Sequence, residues 1–153
     1  MGTEIERKFL VRSDVWKTSK STLFRQGYLT TDPKRTVRVR MANNKGYLTV
    51  KGLNRGAVRQ EYEYSITVQD AREMLDQLCH HPLIEKRRYQ VEHAGCNWEI
   101  DEFLGTNLGL VLAELELDYE DQPFDRPPWL GEEVTYDDRY FNSFLVKNPY
   151  TEW

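Results

Sequence analysis

A mainly β, α+β fold built around an eight-stranded antiparallel barrel is what this sequence predicts, and three observations carry the prediction. Runs with a period of two recur from end to end of the 153 residues. Those runs are rich in Val, Ile, Thr, Tyr and Phe, the residues that suit a pleated, half-buried surface. The connections include short ones such as "ANNKG" and "HAGC", which join antiparallel neighbours. Closing such a sheet on itself removes its edges. The length suits a single domain over residues 1–153, large enough to bury most of the surface its unfolded chain exposes.

In chain order, the eight runs are "TEIERKFLV" (3–11), "FRQGYLT" (24–30), "TVRVRM" (36–41), "GYLTVK" (46–51), "RQEYEYSIT" (59–67), "EKRRYQV" (85–91), "NWEIDEF" (97–103) and "LVLAELELD" (110–118). Between the first two, "KTSKST" reads as a polar connection. "DAREMLDQL" (70–78) spaces Ala71, Met74, Leu75 and Leu78 for one face of a helix. "DQPFDRPPWLG" (121–131) reads as a loop, because three prolines deny it ladder or helix hydrogen bonds. "DRYFNSFLVK" (138–147) sets Tyr140, Phe141, Phe144 and Leu145 on one side of a C-terminal helix that Pro149 stops.

Residues two apart on a strand share a face, so each run has a charged face and an apolar one. The charged faces are Glu4, Glu6 and Lys8; Arg38 and Arg40; Lys51; Glu61 and Glu63; Lys86 and Arg88; Glu99 and Asp101; Glu114 and Glu116. A face that needs only solubility mixes its signs, whereas "EIE", "RVR", "EYE", "EID" and "ELE" each set like charges side by side. Like charges that close repel unless something neutralises them. Blocks of carboxylate call for a multivalent cation of the hard, oxygen-preferring kind, Mg2+ or Mn2+, and blocks of Arg and Lys call for a multivalent anion. Lys8, Arg38, Arg40, Lys51, Lys86 and Arg88 exceed what a monophosphate needs. If these faces point inward, the barrel encloses a charged channel, and its apolar residues face outward under the helices or a partner chain.

Other classes fit less well. The net charge of −4 and the placement of Arg and Lys blocks inside the barrel argue against nucleic acid as a partner. No apolar run is long enough to cross a bilayer and no secretory pattern opens the chain, so a cytoplasmic location is expected. Cys79 and Cys96 are too widely spaced for a redox pair and read as buried thiols; His80, His81 and His93 are not spaced as zinc ligands.

"EIERK" is similar to the ExExK signature of the CYTH superfamily, the triphosphate tunnel metalloenzymes, and "RVR", the Lys of "LTVK", "EYE", "EKRR", "EID" and "ELE" follow in that family's order over nearly the whole chain. The resemblance implies an eight-stranded tunnel that grips a triphosphate through Lys8, Arg38, Arg40, Lys51, Lys86 and Arg88. It implies Glu4, Glu6, Glu114 and Glu116 as principal metal carboxylates, with Glu61 and Glu63 as further ligands, and it leaves Glu99 a weaker candidate. Lys8, Glu63 and Asp101 are its candidate catalytic residues; Lys8, crowded by cations, is expected to lose proton affinity and help activate water, with Tyr28 restraining it. "RQGYLT", "GEEVT" and "DDRY" resemble the small tripolyphosphatase branch, in which homodimers are common and a terminal helix closes one tunnel mouth, here through Phe144 and Leu145.

The expected activity is therefore metal-dependent release of the terminal phosphate from inorganic tripolyphosphate, with weaker hydrolysis of nucleoside triphosphates. The family's fold also serves class IV-type adenylate cyclases and thiamine triphosphatases, and a non-catalytic triphosphate or polyphosphate sensor is the alternative of another class. No cluster dedicated to a purine or thiamine ring is evident: Trp16, Trp98, Trp129 and Trp153 are scattered.

Overall fold

The structure, a computed structural model, describes residues 2–153. Its nine strands are β1 (Thr3–Val11), β2 (Thr22–Thr30), β3 (Arg35–Ala42), β4 (Lys45–Gly52), β5 (Val58–Ile66), β6 (Ile84–His93), β7 (Cys96–Phe103), β8 (Val111–Glu116) and β9 (Leu130–Glu133). They run in the order β5-β4-β3-β2-β6-β7-β8-β1-β9, and pairing of β5 with β1 closes the barrel. The eight expected strands are present. The ninth lies partly in the proline-rich segment read as a loop: β1 pairs with β5 only at its beginning, from Thr3 to Ile5, and β9 takes the vacated edge farther along, at Phe9 and Val11. Four residues with no alternation give β9 no sequence signal, and its existence depends on that open edge.

Local chemistry sets the turns. Asn43 and Asn44 both adopt positive φ, as do Ala94 and Gly95, which is the twist that two-residue hairpins require. Helix α1 (Val68–Gln77) starts where Thr67 accepts from the Asp70 amide at 3.0 Å, and it buries Ala71 and Leu75 against Val39 and Cys79 outside the barrel. The helix can approach because β2 and β4 carry Gly27 and Gly46 beneath it: a Cβ on Gly46 would lie 2.9 Å from the Thr67 carbonyl, and one on Gly27 would lie 2.8 Å from Cys79 Cβ.

The outward faces of β1, β7 and β8 bury Phe9, Trp98, Ile100, Ala113 and Leu115 under Trp16, Phe124 and Trp129. The proline-rich segment expected to be a mere loop, with Trp16 just before the polar connection, thus covers one side of the barrel. Tyr62 and Tyr64 also face outward, as parity requires, but remain exposed. The C-terminal segment differs from the single helix expected: a 3-10 turn at Asp138–Tyr140, a short α2 (Asn142–Leu145) and a second 3-10 turn at Tyr150–Glu152. Leu145 and Val146 pack with Ile84, Phe103, Leu110 and Leu112 and fill one end of the barrel.

Among the described residues no helix is long and apolar enough to cross a membrane. Cys79 is buried and Cys96 half-buried rather than buried, both as free thiols. His80 and His81 lie exposed after α1.

Candidate functional site: a charged tunnel

The inward side chains enclose a cavity of about 210 Å³. Its two walls differ in charge. Arg38 and Arg40 of β3, Lys51 of β4 and Lys86 and Arg88 of β6 line one; Glu4 and Glu6 of β1, Glu61 and Glu63 of β5, Glu99 of β7 and Glu114 and Glu116 of β8 line the other. Lys8 continues the acidic strand toward the filled end, its ammonium 5.1 Å from the centre of the Phe141 ring. Glu63 and Glu116 are solvent-exposed and mark the other end as an acidic rim.

On the cationic wall the deepest charges are neutralised from behind. Lys86, 1% exposed, is 2.8 Å from Asp101, which also receives a two-pronged bond from Arg88 at 2.7 and 2.9 Å. Burial opposes ionisation of Asp101, but Arg88 and Lys86 outweigh it and hold its carboxyl far below the usual range. Burial, together with Arg88 and Arg40, lowers Lys86 to about 7 in spite of Asp101. Arg40 falls to about 9 through burial and the nearby Arg38 and Arg88. Among the described residues, Arg38 and Arg59 each leave a buried Nε without an acceptor, and buried donors of this kind normally have partners.

The acidic wall carries more negative charge than its cations balance. Burial, then Glu114 and Glu4, push the Glu6 carboxyl well up, while Glu114, despite its own burial, is held at about 2 chiefly by Lys8. Burial raises Glu4 against the pull of Lys51; Glu61, beside the same lysine, is lowered even though burial works against it. Lys51 bridges the two at 3.4 Å and 3.1 Å. Glu116 is raised by burial and by Glu4 and Glu99. Oxygen donors crowded until they share protons suit a hard divalent cation. Glu4, Glu6, Glu61, Glu114 and Glu116 could hold one; among the described residues no three of them already form a coordination group, so they constitute a donor set rather than a formed sphere.

Most of the residues expected at the site share this cavity. Asp101 does not line it, since it lies beneath Lys86 and Arg88 with no solvent exposure. Glu63 accepts from Thr49 at 2.9 Å and Arg38 at 3.4 Å, and Glu99 lines the cavity and accepts from Arg88 at 3.3 Å. The Lys8 ammonium donates to the Tyr140 carbonyl at 3.2 Å rather than to Tyr28, whose hydroxyl instead meets the Gln26 amide. Arg25 belongs to the opposite face of β2 from Gln26 and Tyr28. Phe144 stays partly exposed, whereas Leu145 is buried in the filled end, and Phe141, Asn142 and Ser143 line the cavity.

Three contributors escaped the sequence reading. Arg59 shares the parity of Glu61 and Glu63, which could have found it. Gln26 alternates with Phe24 and Tyr28, accepts from Arg40 at 2.9 Å, and bonds to Asn142. Asn142 itself has no periodic signal.

A charged tunnel of this kind, inside a closed antiparallel barrel, defines a class of anion-handling barrel. The chain matches the CYTH domain over residues 2–142 and belongs to that family. It is 56% identical over 151 residues to the inorganic triphosphatase of Acetivibrio thermocellus, covering 98% of this chain and 97% of that one. With the inorganic triphosphatase of Nitrosomonas europaea it shares 42% over 148 residues, 94% and 97% of the two chains. Among solved structures, that of an inorganic triphosphatase aligns with a TM-score of 0.67 at 39% identity, over 93% of this chain and 96% of the other. A putative adenylate cyclase from Bacillus halodurans aligns at 0.62 with 18% identity, covering 78% and 84%, and shares the fold.

Proposed function

We propose that this chain is an inorganic triphosphatase that hydrolyses the terminal phosphate of tripolyphosphate, with weaker action on nucleoside triphosphates. The observation that carries the reading is the cavity itself: a wall of Arg and Lys facing a wall of carboxylates, with scarcely any apolar lining. The cations suit a linear polyanion, and carboxylates opposite them repel it unless a cation comes too. CYTH triphosphatases depend on metal in general.

In this reading Arg38, Arg40, Lys51, Lys86 and Arg88 take the phosphate oxygens, Arg through its planar fork and Lys as a point charge. Lys8 contacts phosphate oxygens toward the filled end, Glu63 orients water at the rim, and Asp101 acts from behind by holding Lys86 and Arg88 in place. Glu4, Glu6, Glu61, Glu114 and Glu116 would hold Mg2+ or Mn2+, with Glu63, engaged by Thr49 and Arg38, as a further ligand expected from the resemblance; when bound the metal supplies further charge neutralisation at the phosphate oxygens. Water adds to the terminal phosphorus as the P–O bond to the remaining pyrophosphate breaks in line, so catalysis is mostly positioning and electrostatics. The same reading carries a single domain in the cytoplasm and a homodimer, for which exposed Tyr62 and Tyr64 offer an outer apolar face.

The test is phosphate release from tripolyphosphate, ATP, thiamine triphosphate and pyrophosphate with magnesium, with manganese and with chelator. Fast metal-dependent release from tripolyphosphate is expected, and Glu116→Gln should raise the metal concentration required by at least about tenfold, the scale of a lost metal-site partner. Tight triphosphate binding without release from any substrate would replace the hydrolase with a sensor.

A further inference from the structure

The filled end of the tunnel terminates in a specific group. Asn142 Oδ1 accepts from Lys86 Nζ and from Gln26 Nε2, each at 2.9 Å, and Gln26 Oε1 in turn accepts from Arg40 Nε at 2.9 Å. Two cations of the phosphate-binding wall are therefore linked to the C-terminal segment through donors that are 1% exposed for Lys86 and fully buried for Gln26. An ammonium and an amide N–H converging on one oxygen is also how a protein holds a phosphoryl oxygen. Asn142 holds these two donors where the C-terminal segment lines the cavity.

The segment presenting Asn142 is anchored. Three residues on, Leu145 is fully buried with Ile84, Phe103 and Leu112. One residue earlier, the Phe141 ring lies 5.1 Å from Lys8 Nζ and 5.7 Å from the Arg59 guanidinium. Yielding to a longer substrate would expose that packing and strip Lys86 and Gln26 of their acceptor.

We infer that Asn142 is a specificity-determining residue that ends the anion site after a triphosphate, its side-chain oxygen taking the hydrogen bonds a fourth phosphate would need. This rests on the triphosphatase reading above. Removing the side chain frees Lys86 and Gln26 to bond an additional phosphate.

The experiment compares linear tripolyphosphate with linear tetrapolyphosphate for the wild type, Asn142→Ala and Asn142→Ser, by kcat/KM for phosphate release and by calorimetric binding, both with magnesium. The tetra-to-tri ratio should rise by about tenfold in Asn142→Ala, the scale of one hydrogen-bonding site gained or lost, and by less in Asn142→Ser, which keeps a shorter acceptor and guards against misfolding of the alanine variant. An unchanged ratio, or equal losses with both substrates, would mean that Asn142 only supports the fold and would overturn the inference. Wild-type release from tripolyphosphate tests the underlying activity separately. Should the wild type release nothing, that activity falls, and the binding ratio still decides whether Asn142 sets the length.

Discussion

Lys86 concentrates the electrostatic problem of this tunnel in one side chain. It faces Asp101 and Glu114 as opposite charges, Arg88 and Arg40 as like charges, and Asn142 as a neutral acceptor. Burial, with the two arginines, wins over the carboxylates and lowers it to about 7 from an ordinary 10.5. Below pH 7 it is protonated in both folded and unfolded chains, and the burial penalty acts in full. Between 7 and 10.5 the unfolded chain binds more protons, so this residue's contribution makes stability rise with pH across that window. Binding runs the other way, since a polyanion beside Lys86 restores its charge. At pH 8 tripolyphosphate binding should therefore take up close to one proton through Lys86, fading near pH 6, which calorimetry in buffers of different ionisation enthalpy would measure. Lys86→Met should remove the uptake. Asp101 is the permanent partner that makes so buried a cation tolerable; Asp101→Ala, leaving Lys86 and Arg88 uncompensated, should cost about 3–5 kcal/mol in urea denaturation.

Helix α1 and the strands beneath it show how elements are fixed by local chemistry yet placed by packing. Thr67 caps the first turn, and Thr67→Ala should cost about 1 kcal/mol of global stability while leaving phosphate release unchanged, because α1 touches the barrel from outside. Equal stability by denaturant melts would show the cap to be unimportant. The same contrast explains what could be read in advance. Strand parity exposed Glu4, Glu6, Arg38, Arg40, Lys51 and Glu114 as inward residues because the period of two is dictated by the backbone and repeats over long runs. It could not tell that Asp101 lies beneath two cations rather than on the cavity surface, because depth depends on the lengths of the neighbouring side chains. The place of Asn142 and strand β9 were illegible for a different reason: a short helix and a four-residue strand owe their positions to gaps left by distant segments, and no local pattern records a gap. Arg59 was legible and overlooked, since its parity matches Glu61 but the run was read from its repeated carboxylates.

For the whole molecule, the closing seam is the place where fold and function meet. β1 joins β5 through Thr3↔Gln60, Glu4↔Arg59 and Ile5↔Val58, with Glu61 N–H donating to the Gly2 carbonyl and Glu6 N–H to the Ala57 carbonyl at the ends of the seam, whereas its other edge pairs with β8 from Glu6 to Leu10. Lys51 reinforces the seam from inside by bridging Glu4 and Glu61. Lys51 is also one of the cations proposed to take the phosphate oxygens, so in that reading a bound triphosphate draws it away from the seam. A metal shared between the β1 and β5 carboxylates would replace the bridge and release Lys51 to the phosphate, so ligand binding and seam closure become one equilibrium. Amide hydrogen exchange should then be faster at residues 58–60 than in the β6–β7 hairpin, and slow on adding magnesium with tripolyphosphate. Lys51→Met should speed exchange at 58–60 in the free protein and leave β6–β7 unaffected. Uniform protection of the two regions, in the free protein and with ligand, would mean that the seam is no weaker than the rest of the barrel and that Lys51 serves the anion alone.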